Sequence, residues 1–270
     1  MMNRVVDKLT KFHIAKRYYD FQKNKGAMKN IGLHNCFHNL LLPGMKLLRK
    51  LRNEDLTVIE DKRKRRDKPA VYACTHIGGF DIETLFEAIE EPCYLFLGDP
   101  REIYCNFDGL LLCMNGVICF ETDNKQDRYI AKERAIQLMN GGGSLMIFPE
   151  GAWNIYQNLP VMPLYCGAAD IALKSQTAVV PVAIERYGTK YFVNIGAEIE
   201  VAEKHSLHKG ELTQIIRDEL ATLKWEIWEK AGFFERKKLS DTRESFIDQI
   251  FGQKNTSFTV EDVLRTRYYP

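Results

Sequence analysis

Ala70-Val71-Tyr72-Ala73-Cys74-Thr75-His76-Ile77-Gly78-Gly79-Phe80-Asp81-Ile82-Glu83 is the stretch that decides the fold. Ala70–Cys74 is a short apolar run and reads as a strand. Gly78 and Gly79 permit a tight backbone path. Phe80-Asp81-Ile82-Glu83 then opens a helix with Asp81 in its first turn. Strand, loop and helix in that order make the unit of an α/β protein, and such proteins build sites at the carboxyl ends of strands. His76 falls in the loop, five residues before Asp81. Positions five apart do not share a face of one straight helix, so the histidine must precede the helix for the pair to meet.

A second stretch has the same character. Ser144-Leu145-Met146-Ile147-Phe148 reads as a buried strand and runs into Pro149-Glu150-Gly151. Pro149 stops the ladder. Gly151 lets the backbone come close to a ligand, and its N–H is a candidate donor to a developing oxyanion. The plainer alternative is a strand-ending turn with a solvated glutamate. Histidine is the usual carrier of a proton near neutral pH, and a general base needs a partner to fix its tautomer. His76 and Asp81 are the candidates for those two roles; the alternative is a loop histidine beside an ordinary helix-start acid.

Working outward, strands are expected at Leu56–Glu60, Cys93–Leu97, Gly116–Phe120 and Val179–Ile184, with helices over 126–140 and 166–176. This alternation predicts an α/β fold with a mostly parallel central sheet flanked by helices. Tyr191–Ile195 and Glu198–Val201 are expected to form a hairpin. Gly141-Gly142-Gly143 follows a helix and precedes a strand, so it reads as a helix end and turn rather than a phosphate loop. Residues 208–232 predict a long helix carrying Trp225 and Trp228. Residues 3–23 and roughly 34–52 read as an N-terminal lead-in of two amphipathic helices, the second mixing an apolar stripe with Lys and Arg. Pro43 is expected to break or kink it. His34 and His38 can share a helical face, but without further ligands no metal site is predicted. The chain divides into 1–55, amphipathic helices and a possible membrane-surface element; 56–205, the α/β core; and 206–270, a helical extension.

Length and charge set further bounds. A chain of 270 residues can bury about three quarters of its unfolded surface. Seven cysteines (36, 74, 93, 105, 113, 119 and 166) form no C-x-x-C pair and read as reduced core thiols. There is no secretory signal and no apolar stretch of 18 residues. The expectation is a cytoplasmic protein, peripherally associated with the inner face of the membrane. Residues 1–68 carry 18 Lys/Arg against 7 Asp/Glu, whereas the remainder carries 20 against 29, so a net charge of +2 hides a basic front end. Anionic lipid headgroups, coenzyme A phosphates and acidic acyl-carrier protein fit that charge. No recognition motif points to nucleic acid. Lys62-Arg63-Lys64-Arg65-Arg66 is expected to be a solvated loop, with phosphate or membrane contact as the alternative.

His76-x4-Asp81 followed by Phe148-Pro149-Glu150-Gly151 resembles the signature of the glycerophosphate and lysophosphatidate acyltransferase superfamily. Gly116-Val117-Ile118-Cys119-Phe120-Glu121-Thr122 stands where that family has Gly-x-Ile-x-Ile-x-Arg, and Val180-Pro181-Val182 matches its fourth block. The resemblance covers residues 70–186. It implies transfer of a fatty acyl group from acyl-CoA or acyl-carrier protein to a lipid-like acceptor. His76 would be the base, Asp81 its orienter, and Glu150 and Gly151 part of the acceptor site. No metal, cofactor or covalent acyl-enzyme is implied.

The departures fall on one function. The family's arginine in the second block is Thr122 here, its Thr-Arg after Phe-Pro-Glu-Gly is Ala152-Trp153, and a later lysine is Tyr165. In the family those cations hold the acceptor's phosphate. Losing three charge-assisted contacts weakens a phosphate acceptor by about 5–9 kcal/mol. Arg101, Arg128 and Arg186 are possible substitutes. Two acceptor classes stay open: a phosphate-bearing lysophospholipid, as for a standard 1-acylglycerol-3-phosphate acyltransferase, or an uncharged or zwitterionic acceptor resting on Trp153 and Tyr165. A non-catalytic lipid-binding protein on the same scaffold is the alternative from another class. A hydrolase lacks its G-x-S-x-G elbow.

Overall fold

The structure is a computed structural model and describes residues 2–24, 27–28, 30–64, 68–98, 107–154, 159–201 and 208–231. Arg101, Cys105 and residues 241–270 lie outside the described residues, as do Arg65 and Arg66 of the basic run.

Seven strands form one sheet: β1 (Asp55–Asp61), β2 (Val71–Cys74), β3 (Tyr94–Gly98), β4 (Val117–Phe120), β5 (Leu145–Ile147), β6 (Val179–Tyr187) and β7 (Lys190–Ile195), in the order β1-β7-β6-β2-β5-β3-β4. All pairings are parallel except β6 with β7. Every residue of β2 and β5 is buried. A strand covered on both faces has no polar side to alternate with, which is why both read as continuous apolar runs.

The helices are α1 (Met2–Asn24), α2 (Ile31–Leu51), α3 (Asp81–Ile89), α4 (Phe107–Asn115), α5 (Lys125–Asn140), α6 (Gly167–Ser175) and α7 (Lys209–Lys230). One face of the sheet packs on Ala131, Ala135 and Leu138 of α5, Ile171 of α6, and Ile216 and Leu220 of α7. The other packs on Leu85, Phe86 and Ile89 of α3, with Leu42 and Met45 of α2 behind them. The side chain of Asn124 caps α5 by accepting from Gln126 N and Asp127 N at 3.0 and 3.1 Å. Gly141 to Gly143 end that helix, with Gly142 at φ 86°, in line with the sequence reading.

Four expectations are corrected. The hairpin is β6–β7, closed at Gly188 (φ 61°), and not β7 with Glu198–Val201. After Ile195 the chain stays beside β6: Gly196 N donates to Pro181 O at 2.9 Å, and Ile199 pairs with Val179. Pro43 does not break α2. It lies on the exposed side, where water can take the carbonyl the ring leaves unpaired. The basic run is not a solvated loop throughout. Arg63 is buried on the Tyr72 ring and pairs with Asp61 at 2.7 Å and Glu91 at 3.2 Å, while Lys62 reaches Glu226 at 3.2 Å.

Finally, α1 does not dock through an apolar stripe. Val5, Leu9, Phe12 and Tyr19 are exposed, whereas Thr10 and Arg17 are buried. The Arg17 guanidinium holds Asp127 with two hydrogen bonds, 3.0 and 2.5 Å, and donates to the Cys119 carbonyl of β4. His34 and His38 pin α2: Nδ1 of His34 meets Met114 O at 2.9 Å, and Nδ1 of His38 meets Asn115 Oδ1 at 2.7 Å. Removing one member of a fully buried pair leaves the other charge uncompensated. Arg17→Ala is expected to cost about 3–5 kcal/mol of unfolding free energy in urea titrations, and Arg17→Met with Asp127→Leu much less. Equal losses in the two proteins would count against a buried ion pair as the attachment of α1.

Candidate active site

Strands β2 and β5 are neighbours, with Ala73 opposite Ile147. The loops that leave their carboxyl ends therefore emerge side by side, and these are the loops of His76 and Glu150. Thr75 fixes the root of the first: its N–H donates to Val182 O at 3.0 Å and its hydroxyl accepts from Ile184 N at 2.9 Å. Gly78 and Gly79 follow at φ 80° and 69°, a region that residues with a Cβ rarely enter.

That bend carries the chain over the start of α3 and onto one carboxylate oxygen. Oδ2 of Asp81 accepts from Ile77 N at 2.9 Å, Gly78 N at 2.8 Å and Nδ1 of His76 at 2.7 Å. Asp81 is buried at 1% exposure, while the His76 side chain keeps 14%. With Nδ1–H given to Asp81, the tautomer leaves the Nε2 lone pair to act as base. The imidazole is stacked on Phe148 (4.1 Å between centroids, 23° between planes), and Trp153 meets it edge-on at 6.1 Å.

Glu150 lies lower. It is 0% exposed, with Oε1 accepting from His76 N at 3.1 Å and Oε2 from Met162 N at 2.8 Å. Both oxygens are engaged and the side chain is closed off from solvent; it joins the His76 loop to the segment that follows Trp153. Two further bonds tighten the same seam: Asn154 N donates to His76 O at 2.6 Å and Tyr165 N to Pro149 O at 2.8 Å. Gly151, at φ 69°, closes a turn by donating to Phe148 O at 3.0 Å. Its N–H is therefore spent on the turn and is not a free oxyanion donor; the left-handed φ accounts for the glycine.

The remaining predicted positions are spread out. Trp153 touches the catalytic ring. Tyr165 is exposed, its backbone held by Pro149. Thr122 follows β4, with β3 between it and β5, and Arg128 donates to its carbonyl. Arg186 is occupied by Glu54 at 3.4 Å and by Gly188 O at 2.7 Å. Phe148 as the platform under His76, Asn154, and Met162 N–H were not singled out from the sequence. Only Phe148 left a signal there, inside the Phe-Pro-Glu-Gly block. Cys74 is buried and its thiol is pushed well up by burial, which removes it as a nucleophile.

A family model described as Acyltransferase matches residues 55–185, which include His76, Asp81 and Glu150. Over those residues the chain is similar to the acyltransferase family. It is similar to the 1-acyl-sn-glycerol-3-phosphate acyltransferase of Borreliella burgdorferi, 29% identical over 126 residues, 42% of this chain and 50% of that protein. It is also similar to the chloroplastic 1-acyl-sn-glycerol-3-phosphate acyltransferase BAT2 of Brassica napus, 28% identical over 132 residues, 49% of this chain and 37% of that one. The chain thus spans half the length or less of these curated relatives. The crystal structure of the 1-acyl-sn-glycerophosphate (LPA) acyltransferase PlsC from Thermotoga maritima superposes with a TM-score of 0.61 at 17% identity, over 87% of this chain and 100% of that one. At that identity the likeness establishes the acyltransferase fold, including the N-terminal helices.

Burial holds the Glu150 carboxyl up to about 7, against the pull of its two backbone donors, Lys224 and His76. An unfolded glutamate ionises near 4.5. Between those values the folded chain keeps a proton that the unfolded chain has released, so this group's contribution to stability falls as pH rises through the window. Glu150→Gln removes that titration. The stability of wild type relative to Glu150→Gln should therefore drop by up to about 3 kcal/mol between pH ~4.5 and ~7 and stay level above. Paired urea unfolding curves across that range measure it; a pH-independent difference contradicts the assignment.

Proposed function

We propose that this chain transfers a fatty acyl group from acyl-CoA or acyl-carrier protein to a hydroxyl or amine of a lipid-like acceptor, with His76 as general base. The observation that carries the reading is the 2.7 Å contact between Nδ1 of His76 and the buried Asp81. Nε2 takes the acceptor's proton as its oxygen or nitrogen attacks the thioester carbonyl. Asp81 stabilises the imidazolium as it forms. The tetrahedral intermediate collapses, the carbon–sulfur bond breaks, and the thiolate leaves with the proton returned by His76. The acyl group passes directly between substrates, and these steps use no cofactor beyond the donor. A positioned base typically contributes ~10²–10⁴-fold. His76→Ala is expected to abolish transfer in a folded protein, and Asp81→Asn to lower turnover by several powers of ten. Release of free coenzyme A from acyl-CoA with a mixed acceptor pool tests both; near-wild-type rates in folded His76→Ala end the mechanism.

The acceptor is read from Trp153, whose ring stands against the catalytic imidazole where the family resemblance places an arginine. An aromatic surface favours a sugar face, an acyl chain or a cationic head group over a phosphate monoester. Lysophosphatidate should therefore be a poorer acceptor, by kcat/KM, than glycolipid, amino-lipid or amino-acid acceptors. The activity of the similar 1-acyl-sn-glycerol-3-phosphate acyltransferases favours the second reading, lysophosphatidate itself, and Arg128 beside Thr122 is the cation that would serve it. A clear preference for lysophosphatidate selects that reading.

Membrane attachment belongs to the same proposal. No helix among the described residues is long and apolar enough to cross a bilayer. On α2, however, Leu33, Leu40, Leu47 and Leu51 are 54, 71, 58 and 69% exposed along one line, with Leu48 beside them and Lys50 near its end. An outward apolar stripe bordered by cations is the composition of an interfacial helix, and it reaches Arg52, which covers the Phe80 ring next to Asp81. Binding to anionic vesicles is expected to weaken with salt, because the electrostatic part is screened within a Debye length. Leu40→Glu with Leu47→Glu should abolish flotation with those vesicles while leaving the melting temperature in place. Unchanged flotation removes α2 from the attachment.

A further inference from the structure

A cavity lies at the end of the sheet opposite His76. It occupies about 270 Å³ and opens among the start of β3 (Tyr94), the start of β4 (Gly116, Val117), the last turns of α1, the entry to α2 and the middle of α5. Because β2, β5, β3 and β4 run parallel, residues at strand starts lie a strand length away from loops at strand ends.

Three polar groups line this cavity without a matching partner. Tyr94 is 2% exposed, and its hydroxyl has no hydrogen-bond partner among the described residues. Arg134 of α5 makes no ion pair among the described residues; its side chain donates from Nη2 to Met28 Sδ at 3.7 Å. Asp20 of α1 likewise pairs with no cation among the described residues, although its charge acts on Arg134.

Neither the tyrosine nor the arginine is there for want of space or by accident of packing. Gly116, at φ 107°, is where a Cβ would come within 2.7 Å of the Tyr94 ring, so the glycine makes room for that ring. His34 packs edge-on to the same ring at 5.1 Å, with its Nδ1 tied to Met114 O. Arg134 stands near Arg17, whose own needs are met by Asp127. Desolvation, and then Arg17, pull the Arg134 guanidinium below its ordinary value, so the unliganded chain keeps this cation at a cost. A buried hydroxyl without a partner is also costly. Groups kept at a cost, facing one cavity, mark a place where a ligand supplies what the chain lacks.

The chemistry required is specific. A guanidinium and a phenol donate to an oxyanion, whereas a carboxylate accepts from an ammonium. We propose that this cavity binds a small zwitterion, an oxyanion joined to a primary ammonium, with Arg134 and Tyr94 on the oxyanion and Asp20 on the ammonium. A free α-amino acid and an ethanolamine phosphate headgroup share that chemistry.

Isothermal titration of the full chain tests it, with L-serine and phosphoethanolamine as the two zwitterions, propionate and inorganic phosphate as oxyanions alone, and ethylamine as the ammonium alone. At least one zwitterion is expected to bind more tightly than its oxyanion counterpart, and which one distinguishes amino acid from headgroup. Tyr94→Phe should weaken that binding about tenfold, the loss of one hydrogen bond to a charged group. Asp20→Asn should erase the preference for the zwitterion over the oxyanion, and Arg134→Gln should abolish binding while raising the melting temperature of the unliganded protein. Should Arg134→Gln not fold, the other two variants decide. Absence of zwitterion binding tighter than about 1 mM overturns the proposal. So does oxyanion binding as tight as the zwitterion's, or binding that is lost in Trp153→Ala but kept in Tyr94→Phe and Asp20→Asn, which places the ligand beside His76.

Discussion

Three N–H groups converge on a single oxygen, Oδ2 of Asp81, and the loop that carries His76 has its shape because of it. Two of those donors are the backbone amides of Ile77 and Gly78; the third is the His76 ring. The carboxylate sits in the first turn of a helix, where the helix dipole also favours a negative charge. Orientation of the base and curvature of the loop are therefore one arrangement. A histidine rotated away from Asp81 would leave a buried carboxylate short of a donor, so the productive ring position is also the electrostatically satisfied one.

Glu150 performs a complementary task from below. It grips the backbone of the residue whose ring Asp81 grips, and its other oxygen holds Met162. Two carboxyl groups thus share one histidine, one through the side chain and one through the main chain. Their settings differ: Asp81 meets three donors, whereas Glu150 has two and is wholly desolvated. The seam they define carries Trp153 to the edge of the imidazole, so the aromatic ring and the histidine are positioned together.

The His76–Asp81 pair was legible in the sequence because its spacing is local; two glycines and a helix start leave few ways to fold six residues. The central strands were legible for a similar reason, since a strand buried on both faces has an unmistakable composition. What could not be read depends on distant partners. Arg17 and Asp127 are 110 residues apart, and a count of charges assigns such an arginine to solvent. Arg63 pairs with Asp61 two residues away, but its burial comes from Tyr72 and Glu91 further along the chain. Glu150 carried the family's acceptor role in the sequence, but its burial is set by the segment that folds over it twelve residues later. The pairing of β7 with β6 rather than with Glu198–Val201 goes with Gly188, whose left-handed φ closes the two-residue turn between them.

The guanidinium of Arg17 rests on the carbonyl of Cys119, in the outermost strand of the sheet. An outermost strand presents a row of amides and carbonyls that any other extended chain can pair with. Val117–Phe120 is short and apolar, the kind of border that invites such pairing. By spending a cation of its first helix on one of this border's carbonyls, the chain occupies part of the edge that a neighbour's strand would use. The N-terminal helix thereby bears on colloidal behaviour as well as on folding: a molecule that shed it would be prone to self-association through strand addition before its catalytic loop had lost a single contact.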